Sequence, residues 1–261
     1  MKALVKIGGT LIDSPESRRR LAGELAEAAR GGVELVVVHG GGKQMTRFLA
    51  ERGIESRFVN GLRVTTPETM DAVLKVLAGS VNQELVAAFI AAGAMAVGLT
   101  GIDAALVEAE RMSGALGAVG RPVRANTALL DLLAAGGYVP VVACVAGDRA
   151  GNMYNVNADQ MAAACAAAYR ADRVVFLTDV AGVMRDGCVL PRLSAAECEA
   201  LIGAGVATGG MHAKLTAAVG ALRSGVSEII IAPGAEPGIS SRALAGEAVG
   251  TRLIPGDRND A

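Results

Sequence analysis

Apolar residues gather along the chain into short runs that end in glycine, separated by longer stretches with helical apolar spacing. Ala3–Ile7 is such a run, closed by Gly8-Gly9. Val33–Val38 is almost continuously apolar, as a strand covered on both faces must be, and ends in His39-Gly40-Gly41-Gly42. Between them, Ser17–Arg30 reads as a polar helix leading through Gly31-Gly32, and Met45–Arg52 as a helix closed by Gly53. Thr66-Pro67-Glu68 announces a long helix over Thr69–Ala92, with Thr66 as cap and Pro67 in the first turn. Ala96–Leu99 is a strand, Leu106–Glu110 with Gly117–Val123 a hairpin-like excursion, and Thr127–Ala135 a helix stopped by Gly136-Gly137. Val139–Val145 is another buried strand, and Ala158–Tyr169 a helix of small residues.

Arg173–Leu177 opens a further strand–helix series. Arg185-Asp186-Gly187 makes a turn, Ser194 caps a helix over Ala195–Gly203, and Lys214–Ser224 is helical. Glu228–Ala232 and Thr251–Ile254 are closing strands. The rhythm predicts an α/β fold, an open and mainly parallel sheet sandwiched by helices. No repeat or linker divides it. The expected seam lies near Ala171, separating residues 1–170 from 171–261.

Composition narrows the function. The chain has 261 residues, 52% of them hydrophobic, which is enough to bury a large core and excludes low-complexity disorder. With 25 Lys plus Arg against 26 Asp plus Glu, no overall field favours nucleic acid or an anionic membrane, and with 3% aromatics there are few platforms for stacked bases. The longest apolar candidate for a membrane span, Leu85–Leu99, is broken by Gly93 and Gly98 and falls short of the ~20 residues a span needs. The start, MKALVKIGGT, lacks a signal-peptide pattern, so a cytoplasmic location is expected. Cys144, Cys165, Cys188 and Cys198 form no C-x-x-C pair and read as small core residues or bystanders.

The strongest chemical signal is a strand ending in glycines, seen twice: Lys6-Ile7-Gly8-Gly9 and His39-Gly40-Gly41-Gly42. In a parallel sheet, ligands bind outside the carboxyl ends of the strands, where glycine amides and helix N-termini receive anions. Two such loops point to a phosphate held from two sides, although glycines also serve plain strand-to-helix turns. Neither loop is a Walker P-loop, because Lys43 is followed by Gln44, and no G-x-G-x-x-G follows a strand. Lys6 stands inside an apolar strand, where an ammonium group requires an anionic partner. Lys214 follows a second glycine pair, Gly209-Gly210, and can be read either as an anion ligand or as a solvated helix lysine. Asn157 can cap the helix from Ala158, leaving Asn155 and Asp159 to face a ligand. Arg63 is a natural bidentate partner for a carboxylate. His39 reads as a residue that fixes its loop, and neither histidine belongs to a metal-binding spacing. No nucleophile elbow is present, and Asp103, Asp159 and Asp179 are far apart in sequence. Lysines and glycine amides without a nucleophile suit phosphoryl transfer, where catalysis is positioning and charge stabilisation.

Taken in order, KIGG (6–9), VHGGG (38–42), FVNGLRVT (58–65), NVNADQ (155–160), LTDVAGV (177–183), TGGMHAK (208–214) and VGTRLIP (249–255) resemble the N-acetylglutamate kinases of the amino acid kinase superfamily. The resemblance runs from Lys6 to about Ile254. It implies transfer of the γ-phosphoryl of MgATP to the side-chain carboxylate of N-acetyl-L-glutamate, in arginine biosynthesis. It further implies that residues 1–170 bind the amino acid and residues 171–261 the nucleotide. Lys6 and Lys214 match the lysines that stabilise the transferring group, and Asp159 the aspartate that orients them. Gly8, Gly9, Gly41 and Gly42 match backbone donors around the phosphoryl and accepting carboxylate. Arg63 and Asn155 match the residues that hold the α-carboxylate. Asp179, Val180, Gly209 and Met211 fall in segments that line the nucleotide site. Mg²⁺ is expected to be held mainly by ATP phosphates rather than by a carboxylate cage.

The chain departs from that pattern at Lys43-Gln44-Met45, where the family usually has proline followed two residues on by an apolar side chain. Thr100-Gly101-Ile102-Asp103-Ala104 is a loose version of a glycine-rich turn. The chain begins at Met1, just before the first strand, whereas arginine-inhibited relatives carry an additional N-terminal helix; a homodimer insensitive to arginine is the expectation. Two other readings remain at this point: a kinase of carrier-protein-linked aminoadipate or glutamate in lysine biosynthesis, and a non-catalytic amino-acid or nucleotide sensor with the same fold.

Overall fold

The computed structural model describes residues 1–256. β1 (Lys2–Ile7), α1 (Pro15–Arg30), β2 (Glu34–His39) and α2 (Gly42–Ala50) open the chain, followed by a small hairpin of β3 (Phe58–Val59) and β4 (Leu62–Arg63). A continuous helical run then passes through α3 (Pro67–Val73), a π-helical stretch at Leu74–Val81 and α4 (Asn82–Ala91). β5 (Met95–Thr100), β6 (Val107–Arg111), β7 (Val119–Ala125), α5 (Ala128–Ala135), β8 (Tyr138–Ala143), β9 (Val145–Gly147), β10 (Met153–Val156) and α6 (Ala158–Tyr169) follow. The remainder holds β11 (Arg173–Thr178), a hairpin of β12 (Met184–Arg185) and β13 (Cys188–Val189), β14 (Arg192–Ser194), α7 (Ala195–Gly203), α8 (Gly209–Arg223), β15 (Ile229–Pro233), α9 (Ile239–Ala245) and β16 (Thr251–Ile254).

Eight strands form one sheet in the order β14-β16-β15-β11-β1-β2-β8-β5. All neighbours are parallel except β15 and β16. Alternation along the central strands assigns their side chains to two cores. Leu4, Val36, Val38, Val174 and Phe176 join α6 and α8 on one face. Ala3, Val5, Ile7, Leu35, Val37, Val175 and Leu177 join α1 and the long helical run on the other. Lys6 shares the side of β1 that carries Leu4, so its side chain points towards α6 and α8. β1 pairs with β11 on one side and β2 on the other, which makes its carboxyl end the place where the chain's connections diverge.

The expected α/β sandwich is therefore present, and several boundaries differ in an instructive way. α2 begins at Gly42 rather than Met45, and α8 at Gly209 rather than Lys214, so Gly42 and the Gly209-Gly210 pair lie within helices. The apolar run at Val139–Val145 divides at Cys144, with β8 in the main sheet and β9 in a closed four-stranded barrel, β10-β7-β6-β9. The hairpin-like excursion is the β6–β7 antiparallel pair of that barrel. Thr66 caps the long helix as expected, its Oγ1 accepting from Thr69 N at 3.2 Å. The longest apolar helical run is Pro67–Ala91, not Leu85–Leu99; by length and composition it could cross a membrane, with mean hydropathy 1.4 over 18 residues, half of them buried inside the fold. Val73, Leu77, Val81, Leu85 and Phe89 from this run pack into the core against the sheet.

His39 ties this run to β2. Asn82 Nδ2 donates to His39 Nε2 at 3.0 Å and to Val141 O at 2.9 Å, which leaves His39 Nδ1–H to donate to Gly40 O at 2.8 Å. Burial pushes the His39 pKa down from 6.5 to about 4, so the ring is neutral in the fold. The unfolded chain takes up a proton on this ring below pH 6.5 while the folded chain resists until about pH 4. The contribution to stability is thus complete above pH 6.5 and lost on acidification, by about 3 kcal/mol. Urea titrations of the wild type and His39→Gln between pH 7 and 4 are expected to show a steeper acid loss in the wild type by roughly that amount.

Candidate active site

The carboxyl ends of β1, β2 and β11 bring Gly8-Gly9, Gly40-Gly41-Gly42 and Thr178-Asp179 together. The two glycine loops interlock. A Cβ on Gly9 would stand 2.8 Å from Gly41 N and 2.9 Å from Gly42 N, and one on Gly40 would stand 3.2 Å from Gly9 N. Only glycine allows this backbone-to-backbone approach. The amides of Gly9, Gly41 and Gly42 donate to no acceptor among the described residues, so they remain available to an anion. Gln44 Nε2 donates to Gly9 O at 3.2 Å, and Cys144 Sγ to His39 O at 2.8 Å, so both loops are held from behind. Burial pushes the Cys144 thiol up to about 12, which keeps it a thiol.

Above these loops lies a buried triad. Asn157 caps α6, its Oδ1 accepting from Asp159 N at 2.9 Å, and this fixes Asp159 in the first turn. Asp159 Oδ1 is 3.0 Å from Lys6 Nζ and accepts from Lys214 Nζ at 2.9 Å. All three side chains are buried, and the set carries one net positive charge. Burial alone would raise the Asp159 pKa, but the two ammonium groups overcome it and hold the carboxyl below its ordinary range. Burial also opposes charge on Lys6, where Asp159 more than offsets it. Burial, followed by the neighbouring Lys6 ammonium, pushes Lys214 down to about 8.

Two cavities meet at this triad and share Lys6, Gly9, Gly42 and Asp159 in their walls. The smaller, about 250 Å³, is also lined by Gly41, Arg63 and Asn155. Arg63 Nη2 donates to Thr46 Oγ1 at 2.8 Å and Gly42 O at 3.0 Å, and its guanidinium stacks 4.6 Å from the Phe58 ring centroid. No carboxylate among the described residues lies within 4.0 Å of it, although only 8% of Arg63 is exposed. A buried guanidinium without a counterion is poised for an anionic ligand. Asn155 Nδ2 donates to Thr65 Oγ1 at 3.1 Å, and Thr65 in turn donates to Arg63 O at 2.8 Å, so the two expected carboxylate-binding residues are linked through one threonine.

The larger cavity, about 520 Å³, is lined by Gly8, Asp179, Val180, Met211 and Lys214 together with the shared residues. Asp159 and Asp179, distant in sequence, thus face one space. Gly209 does not line it; Gly210 does. With φ +52°, Gly209 sits at the start of α8, and its carbonyl approaches the β3–β4 tip, 4.0 Å from where a Cβ of Gly61 would stand. Thr10, Lys43 and Thr178 also line the larger cavity and were not anticipated. Their proximity in sequence to Gly9, Gly42 and Asp179 was the available signal. A separate groove of about 430 Å³ between β7, α6 and α8 has alanine as its commonest lining residue and holds none of these groups.

Paired lysines and free glycine amides at the junction of two anion-accepting cavities define a phosphoryl-transfer protein. The model of the amino acid kinase family matches residues 1–233, and the chain belongs to that family. It is 64% identical to an acetylglutamate kinase of Solibacter usitatus (strain Ellin6076), over 97% of this chain and 99% of the relative. It is 40% identical to an acetylglutamate kinase of Brucella canis, over 97% of this chain and 90% of the relative. Among solved structures, N-acetylglutamate synthase from Neisseria gonorrhoeae, complexed with coenzyme A and N-acetyl-glutamate, aligns with a TM-score of 0.86 at 25% identity. That alignment covers 97% of this chain and 59% of the synthase chain.

The glycine packing has a direct test. Gly9→Ala is expected to destabilise the fold by about 1–3 kcal/mol through backbone overlap. Gly42→Ala, where a Cβ meets nothing within 4 Å, is expected to stay within about 0.5 kcal/mol of the wild type. Urea titration of both variants measures the difference.

Proposed function

We propose that the chain transfers the γ-phosphoryl group of ATP to the side-chain carboxylate of N-acetyl-L-glutamate, giving N-acetyl-L-glutamyl 5-phosphate in arginine biosynthesis. The observation that carries this reading is the shared wall: Lys6, Asp159, Gly9 and Gly42 border both cavities, where a transferring group would pass from one to the other. The names of the relatives at 64% and 40% identity support the acceptor.

In this reading Arg63 and Asn155 take the α-carboxylate of the acceptor and direct its side-chain carboxylate towards Gly9 and Gly42. That carboxylate has a reference pKa near ~4.3, so it is ionised at neutral pH and needs no base. One of its oxygens forms a bond to the γ-phosphorus as the bond from that phosphorus to the β,γ-bridging oxygen breaks, and ADP leaves with the electron pair. Lys6 and Lys214 reduce repulsion between the anions and stabilise charge on the phosphoryl oxygens, while Asp159 positions both ammonium groups. Asp179, Val180 and Met211 line the nucleotide side, which supports nucleotide binding by residues 171–261, while Gly8 joins them from residues 1–170. Among the described residues no three His, Cys, Asp or Glu side chains form a metal cluster. Mg²⁺ fits this donor set as a passenger on the nucleotide phosphates, where it supplies neutralisation of their charge. This reading includes a cytoplasmic location. A homodimer belongs to this reading, and the exposed Met95 on edge strand β5 and Ile90 on α4, 63% and 53% exposed, support pairing of two copies there.

An ATP-dependent hydroxamate assay with N-acetylglutamate, glutamate and N-acetylaminoadipate is expected to give product chiefly with the first; preference for the aminoadipate derivative would replace the acceptor assigned here. Lys214→Ala is expected to lower kcat by about 10³-fold while retaining the wild-type circular dichroism spectrum. Because the buried lysine pair releases a proton near pH 8 in the free enzyme, kcat/KM for ATP is expected to fall above about pH 8. Bound phosphates favour the ammonium form, so kcat is expected to hold to higher pH.

A further inference from the structure

Three lysines line the larger cavity: Lys6, Lys214 and Lys43. The first two are buried and share Asp159, whereas Lys43 is exposed and has no carboxylate among the described residues within 4.0 Å. The carboxylates lining the same cavity are Asp159, engaged by the other two lysines, and Asp179, whose Oδ1 accepts from Thr178 Oγ1 at 3.2 Å. Lys43 is also the second residue of α2, a helix with no side-chain cap and no acidic residue in its first turn. A cation there opposes the positive end of the helix dipole and faces two further ammonium groups. Lys43 therefore stands at an electrostatic disadvantage, which a polyanion bound in this cavity would reverse.

We propose that Lys43 is a further nucleotide-binding residue that places its ammonium group on the terminal phosphates of the bound nucleoside triphosphate. The inference rests on the kinase reading above and deepens it. Lys43 lines only the nucleotide cavity and Arg63 only the other, so the effect of Lys43 is confined to one substrate. The span of interest is the phosphate chain, since that is the part of the ligand that carries charge.

Calorimetric titration of the wild type, Lys43→Ala and Lys43→Arg with the magnesium complex of a non-hydrolysable ATP analogue, with AMP, and with N-acetylglutamate tests this. Lys43→Ala is expected to bind the triphosphate roughly tenfold more weakly, with AMP and N-acetylglutamate unchanged. Lys43→Arg is expected to restore triphosphate affinity to within about twofold. The ligand-free Lys43→Ala protein is expected to melt at or above the wild-type temperature, because a repulsive charge has gone. Equal triphosphate affinity in wild type and Lys43→Ala overturns the proposal, as does parallel loss for AMP or a lowered ligand-free melting temperature, which marks a structural role. Absence of triphosphate binding by the wild type overturns the kinase reading itself.

Discussion

The arrangement depends on one carboxylate oxygen shared by two buried ammonium groups. Removing three charges from water costs several kcal/mol per ion, and mutual attraction offsets that only when geometry is good and the remaining donors have partners. Asp159 supplies the geometry from a capped helix start, and β1 and α8 bring the lysines to it from the two ends of the chain. Among the described residues, no fourth group within ion-pair distance neutralises the residual positive charge. Folding thus preserves an unsatisfied cation pair at the junction of two cavities, which is the form of electrostatic preorganisation that phosphoryl transfer uses.

The sheet explains why this junction lies where it does. β1 sits at the middle of eight strands, and the loops leaving β1, β2 and β11 all emerge at the same end. The glycine loops pack against each other without side chains between them, and His39, Gln44 and Cys144 secure them from behind through backbone carbonyls. Amides that would ordinarily pair are consequently directed outwards. Arg63, buried and with no carboxylate within 4.0 Å among the described residues, lines the smaller cavity.

Much of this was legible in the chain. Asn157 before an alanine-rich run marked α6 to the residue, and Ser194 marked the start of α7, where the structure adds Glu197 to complete a capping box. Lys6 stood out because a lysine inside an apolar strand demands an explanation. Glycine's poor helix propensity concealed the true starts of α2 and α8, where exposed amides matter more than propensity. Strand patterning reports burial but not partners, so the closed barrel and the antiparallel β16 were not visible. α9, seven residues between glycines at positive φ, was too short to show a period. Nor could spacing reveal that Asp159 and Asp179 share a cavity; only the fold brings them together.

The π-helical stretch at Leu74–Val81 lies directly beneath this machinery, with Leu77 against Gly41 and Asn82 holding His39. A wider coil of this kind accommodates one more residue than the ordinary helix over the same rise. Excising a single residue there would close the wide coil into an ordinary helix and draw Leu77 away from Gly41. Excising one from the regular turns of α3 or α4 would instead rotate everything downstream by roughly 100° about the axis. The number of residues between Pro67 and Ala91 is therefore as constrained as their identity, and insertions or deletions in this chain should be tolerated in surface turns but not in this segment.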